Sequence, residues 1–168
     1  VERFEALGLR EISAAGEAEP GQTVVIRAHG IPVSEQKTLA ARGAAMVDAT
    51  CPFVKKIHVI AQKAERDGRS LLIIGTPTHP EVEGIAGWCT RGKVFADAES
   101  LENWVRKEAI PADLPVCMVS QTTSTEFLWK KCVQFAKKQF TNLKIFDTIC
   151  RATEYRQSEA AKLSEICQ

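Results

Sequence analysis

Short apolar runs alternate along the chain with polar loops and longer amphipathic stretches. Val24-Val25-Ile26 leads into Arg27-Ala28-His29-Gly30, and Met46-Val47 into Asp48-Ala49-Thr50-Cys51-Pro52. Leu71 to Ile74 leads into Gly75-Thr76-Pro77-Thr78-His79-Pro80-Glu81, and Val116-Cys117-Met118-Val119 into Ser120-Gln121-Thr122-Thr123. Leu143 to Phe146, leading into Asp147-Thr148-Ile149-Cys150, follows the same plan less cleanly. Continuous apolar runs of this length predict strands buried on both faces, as in a parallel sheet. The stretches between them read as helices. Apolar residues fall at 53, 57, 60, 61 and 64, and again at 128, 132, 135, 136 and 140, each set one stripe of a 3.6-residue period. Strand alternating with helix predicts an α/β fold with small parallel sheets flanked by helices.

The helix starts carry their own signals. Pro52 suits the first helical position, which makes Cys51 the N-cap. Pro80 is placed to open a helix with Glu81 and Glu83 in its first turn, where carboxylates suit the helix dipole. Thr123-Ser124-Thr125-Glu126 reads as a capping box, with Thr123 as the cap. Pro20-Gly21 and the stretch from Pro111 to Pro115 read as ordinary connections.

Strands of a parallel sheet end at one edge, and ligands bind in the crevice there. His29, Cys51, His79, Glu81, Thr122, Thr123 and Cys150 all lie within a few residues of a predicted strand end. This predicts one site built from several loops. Cys51 is the sharpest of the set. A helix N-terminus sets partial positive charge and free N–H groups beside its sulfur, the setting of a nucleophile or a metal ligand. Its plain alternative is a buried, packing cysteine. Cys150 taken alone reads first as a core residue, and Cys89, Cys117, Cys132 and Cys167 as packing residues. His29 and His79 sit in loops beside Gly or Pro, where function concentrates and where imidazoles can donate to phosphate oxygens. His58 flanks an apolar stripe and reads as a satisfied structural histidine, and Lys55 and Lys56 as a solvated face. Glu81 is the natural proton donor, and Thr122 is the hydroxyl left free to face a ligand.

Composition narrows the class. The 168 residues are 45% hydrophobic and 26% charged, with a net charge of +1, as in a soluble globular protein without a nucleic-acid footprint. No run of about 18 apolar residues predicts a membrane span, and no secretory signal precedes the first strand. The six cysteines are spread without a C-x-x-C pair, which favours a reduced, cytosolic chain over a disulfide framework or a zinc ribbon. Both ends read as cut, the first at Val1 and the second at Gln168 within a helix, so a fragment or processed product is expected.

Together these segments resemble the 4-hydroxy-3-methylbut-2-enyl diphosphate reductase (IspH/LytB) family of isoprenoid biosynthesis. The matching stretches are AHGI at 28–31, DATCPFVKKIH at 48–58, THPEVEG at 78–84, SQTT at 120–123 and ICRATEYRQ at 149–157, in the family's order. The resemblance implies three similar α/β domains set pseudo-symmetrically around a central [4Fe-4S] cluster held by three cysteines. On that map residues 1–50 are the second half of the first domain, 51–149 the central domain and 150–168 the start of the third. It implies that Cys51 and Cys150 are two cluster ligands, and that His29 and His79 bind the substrate's diphosphate. Glu81 is then the acid that relays protons and Thr122 the hydroxyl that orients the substrate's alcohol, with Gln121 a further substrate-binding residue of the same motif. The implied reaction is reductive dehydration to isopentenyl and dimethylallyl diphosphate in the methylerythritol phosphate pathway. Ferredoxin or flavodoxin would donate the electrons, in the cytoplasm or, in a eukaryote, the plastid stroma. The family's first cluster cysteine, an upstream histidine and the third domain's serine and asparagine contacts have no counterpart here, and Thr76 and Ile31 are minor departures. Two other readings stand beside this one: a truncated, inactive relative that acts as a binding or interaction module, and a metal-free thiol enzyme with Cys51 as nucleophile.

Overall fold

Alternate side chains of the central strands point to opposite sheet faces, and here both faces are covered. In this computed structural model, residues 2–167 are described, with all of their side chains except those at positions 2, 153, 154 and 157. Strands β3 (Ser70–Ile74), β4 (Gly92–Phe95), β5 (Val116–Ser120) and β6 (Leu143–Ile145) form one parallel sheet in the order β4-β3-β5-β6. Leu71, Ile73, Cys117 and Val119 face α3 (Pro52–Arg66) and α4 (Pro80–Ala86), where Ile57, Ala61, Val82 and Ile85 complete a layer. Leu72, Ile74, Val116 and Met118 face α5 (Ala98–Lys107) and α6 (Glu126–Gln139), through Leu101, Val105, Trp129, Cys132 and Ala136. Each fully buried Leu or Ile contributes roughly 1.5–3 kcal/mol, so the two layers fix the sheet and the loops at its edge.

A second sheet pairs β1 (Thr23–Ile26) with β2 (Ala45–Asp48), also in parallel, through the crossover helix α2 (Val33–Ala41). Leu39 packs there with Ala15 and Ala18. A short helix α1 (Glu2–Glu5) precedes it and α7 (Arg151–Ile166) follows the larger sheet.

The predicted fold class holds, with three differences in detail. The runs expected to be buried on both faces include Val25 and Val47, yet these are 54% and 50% exposed, because helix covers only one side of the two-stranded sheet among the described residues. The edge strand β4 and the helix α5 are not marked by an apolar run. GKVF offers only two apolar residues, although Asp97 and Ser100 form the reciprocal cap that starts α5. Helix α6 begins two residues later than its expected cap. Thr125, not Thr123, accepts from Leu128 N, and the Thr123 hydroxyl instead accepts from Gln121 Nε2 at 2.8 Å.

Candidate functional site

The order β4-β3-β5-β6 reverses direction between β3 and β5. The chain leaves β3 for β4 on one side, then crosses back to place β5 on the other. Such a reversal opens a crevice at the C-terminal ends of the two strands. Glu81 enters it from the loop and helix after β3, and Thr122 from the loop after β5. Glu81 is 2% exposed and both its oxygens are engaged: Oε1 accepts from Thr122 N at 2.6 Å and Oε2 from Thr122 Oγ1 at 2.7 Å. The Thr122 hydroxyl, read from the sequence as free to face a ligand, gives its proton to Glu81. It is tied to the one carboxylate the sequence marked as an acid.

Helix α4 is built for close approach. His79 is its N-cap, with Nδ1 accepting from Glu81 N at 3.1 Å. A neutral His79 thus carries its proton on Nε2, which is left as a donor. One helical turn on, a Cβ at Gly84 would stand 3.3 Å from the His29 carbonyl oxygen, and one at Gly87 would stand 2.4 Å from Pro32 Cβ. Glycine at 84 and 87 lets the His29–Pro32 loop lie on the helix, and the His29 and His79 rings meet edge to face at 5.4 Å. The i, i+3 pair of glycines is the signal in the sequence that predicts this approach. Trp88 completes the seam, donating Nε1–H to the Ile31 carbonyl at 3.1 Å and stacking on His58 at 5.2 Å.

His58 is buried as expected but not satisfied, since its Nε2 has no hydrogen-bond partner among the described residues; His29 Nδ1 is in the same state. Burial pushes His58 down from 6.5 to about 4, so the ring is neutral at physiological pH. Gln121 holds the rim of the crevice. Its Oε1 accepts from Thr76 N at 3.0 Å, its backbone N–H donates to the Ile74 carbonyl and its Nε2 donates to Thr123. That buried side chain ties the loop after β3 to the loop after β5.

The two candidate thiols sit at opposite ends of this group. After β2, Asp48 Oδ1 accepts from Thr50 N at 3.0 Å and turns the chain. The Lys55 ammonium on Asp48 Oδ2 and the Thr50 contact hold that carboxyl at about 2. Cys51 N–H then donates to the Ala28 carbonyl at 2.9 Å, and the residue caps α3 ahead of Pro52. Cys150 caps α7 and donates its N–H to the Thr122 carbonyl at 2.7 Å. Neither thiol is used in a side-chain cap, and both are half-buried. A cavity of about 460 Å³ opens between their two helices, lined by Phe53 on one side and Ile149, Arg151 and Tyr155 on the other. Cys89, Cys117 and Cys132 are buried instead, and burial pushes Cys117 and Cys132 up to about 11. Cys167, expected to pack, is exposed at the end of α7.

Contacts therefore run from Cys51 through Ala28 and His29 to His79, then Glu81, Thr122 and Cys150. The convergence predicted for the loops is present. A larger cavity, about 720 Å³, lies against β1 and α2 and is lined by none of these residues. Two half-buried free cysteines at helix N-termini, apart from three buried core cysteines, are the residues that could hold two corners of an iron–sulfur cluster. Among the described residues no three His, Cys, Asp or Glu side chains are grouped to hold a metal.

A family model described as LytB protein matches residues 1–168. The chain belongs to the LytB family. It is 39% identical over 98% of its length to the 4-hydroxy-3-methylbut-2-enyl diphosphate reductase of Solidesulfovibrio magneticus. It is 37% identical over 96% of its length to the enzyme of the same name from Oleidesulfovibrio alaskensis. The chain spans 57% of each of these relatives. A solved (E)-4-hydroxy-3-methyl-but-2-enyl diphosphate reductase superposes with a TM-score of 0.79 at 32% identity, covering 96% of this chain and 57% of that one. The E-1-hydroxy-2-methyl-but-2-enyl-4-diphosphate reductase of Plasmodium falciparum gives 0.82 at 26%, covering 94% and 49%. The LytB motif at 149–157 includes three side chains, at 153, 154 and 157, outside those described. Among the described residues no helix is long and apolar enough to cross a membrane.

Proposed function

We propose that the protein carrying this chain catalyses the reductive dehydration of 4-hydroxy-3-methylbut-2-enyl diphosphate to isopentenyl and dimethylallyl diphosphate. The observation that carries this reading is the buried Glu81–Thr122 pair, set between two imidazoles on one side and Cys150 on the other. The allylic C–O bond breaks, water leaves, and two electrons and two protons are consumed. His79, with Nε2–H free, and His29, whose ring abuts it, supply donors to the diphosphate. Thr122 Oγ1, its own proton donated to Glu81, accepts from the substrate's alcohol with a free lone pair. Glu81 is the acid of the site, one hydroxyl away from the departing oxygen. Gln121 keeps the two loops in register so that these groups face one substrate.

Cys51 and Cys150 are the residues that would hold a [4Fe-4S] cluster, with a third cysteine outside this chain. Such a cluster, when bound, supplies the electrons and a Lewis-acidic iron for the leaving oxygen. On this reading residues 1–50, 51–149 and 150–168 belong to three α/β domains around that centre. Ferredoxin or flavodoxin is the electron donor, and the protein works in the cytoplasm or a plastid stroma.

The test is product formation by the whole protein, reconstituted anaerobically and given a low-potential reductant and 4-hydroxy-3-methylbut-2-enyl diphosphate. Glu81→Gln should lower kcat by about 10²–10⁴ with little change in KM. Substrate consumption at the native rate by Glu81→Gln would remove Glu81 from the proton path.

A further inference from the structure

We infer that Thr148 is a positioning residue for Cys150, its side chain standing in for a missing backbone rung between β5 and the chain that follows β6. The register pairs Val116 with Leu143, Cys117 with Lys144 and Met118 with Ile145, and Phe146 N donates to the Met118 carbonyl at 2.9 Å. One repeat further, a regular parallel ladder would carry the N–H of residue 148 to the Ser120 carbonyl and the Ser120 N–H to the carbonyl of residue 146. Neither bond forms. Ser120 N donates instead to Thr148 Oγ1 at 2.8 Å, and Thr148 Oγ1 donates to the Ser120 carbonyl at 2.6 Å.

Because that hydroxyl proton is committed, the Ser120 hydroxyl, 3.1 Å away, is the donor between the two side chains. Thr148 Oγ1 thus uses its one donor and both lone pairs on a single buried residue. The Thr148 N–H is released from the ladder, and a side chain rather than the backbone spans the gap to β5 at this repeat. The ladder resumes in register one repeat on, where the Cys150 N–H reaches the Thr122 carbonyl at 2.7 Å, next to the backbone N–H that grips Glu81. Thr148 thus bridges the one missing rung between Phe146 and Cys150, and its hydroxyl holds Cys150 in register at the edge of the crevice.

The consequence for a metal centre rests on the proposed role of Cys150, whereas the placement itself does not. Thr148→Val keeps the shape and removes the hydroxyl, and Thr148→Ser keeps the hydroxyl. Amide hydrogen exchange and iodoacetamide labelling, both read by peptide mass, follow Cys150 directly. In Thr148→Val, exchange at the Cys150 amide and alkylation of its thiol should rise about tenfold, with Cys117 and Cys132 still protected. Thr148→Ser should return both to within about twofold of native.

Native Cys150 behaviour in a folded Thr148→Val would overturn the inference. If that variant fails to fold, shown by labelling of Cys117 and Cys132, the native protein decides. Protection of the Ser120 and Cys150 amides together supports the rung, and a freely exchanging Cys150 amide beside a protected Ser120 refutes it. Retention of iron by Cys150→Ser would sink the ligand role while leaving these exchange results standing.

Discussion

One methyl group added at Gly30 should break the seam that carries His29. Gly30 has φ +71°, and a Cβ there would stand 2.3 Å from His58 Cε1, 3.1 Å from Nε2 and 3.2 Å from Thr50 Cγ2. Two costs follow. An L side chain in the left-handed region costs about 1–2 kcal/mol, and forcing a methyl into a packed site costs about 1–3 kcal/mol. His58 cannot swing aside cheaply, because it is buried and stacked on Trp88, whose indole is held by the Ile31 carbonyl. Gly30→Ala should therefore lose about 2–5 kcal/mol, a large share of an ordinary domain's stability of about 5–15 kcal/mol. Urea unfolding followed by tryptophan fluorescence measures it. The two costs separate in a double-mutant cycle with His58→Ala, which opens space for the methyl but leaves φ unchanged. In that background Gly30→Ala should cost only the conformational part, a coupling of about 1–3 kcal/mol. Equal costs in both backgrounds would refute the clash, and a total under about 1 kcal/mol would refute both parts.

Burial holds His58 at about 4 against 6.5 when unfolded, so between these values the unfolded chain binds more protons and stability rises with pH. The contribution is fully present above pH 6.5 and is lost as pH falls to about 4, roughly 3 kcal/mol in all. His58→Phe should flatten that slope in urea midpoints measured across the range, and an unchanged slope would contradict the assignment. Thr122→Val leaves Glu81 Oε2 without its donor and should destabilise by about 1–3 kcal/mol. Combined with Glu81→Gln it should be non-additive, and strict additivity in thermal melts would mean that the pair is not coupled. With Cys117 and Cys132 at about 11, only about 0.1% of either is thiolate at pH 8. Both should label at least about a hundredfold more slowly than exposed Cys167 in a timed alkylation, and comparable rates would show an open core.

The sequence made the central strands legible because burial on two faces demands continuous apolar runs, as at Leu71–Ile74 and Val116–Val119. The same rule misreads β2, whose Val47 needs a second layer to bury it. It passes over β4, an edge strand with one buried residue. The candidate site was legible as a set, since strand ends share one edge of a parallel sheet. Its pairings were not. Glu81 and Thr122 are 41 residues apart and meet only because the strand order reverses between β3 and β5. The role of Gln121 as a tie between loops, and of Gly84 and Gly87 as landing points for the His29 loop, depends on the same tertiary approach. Local rules also failed at Thr123, where a capping box is a reasonable reading but the cap falls on Thr125 and the Thr123 hydroxyl accepts from Gln121.

The most direct test of the account is the content of iron and acid-labile sulfide after anaerobic reconstitution of the whole protein, compared with Cys51→Ser and Cys150→Ser. The account predicts about four irons and four sulfides per chain, with a large loss in both variants while Cys132→Ser keeps the native content. Full iron and sulfide in either Cys51→Ser or Cys150→Ser would contradict the placement of a cluster at that thiol.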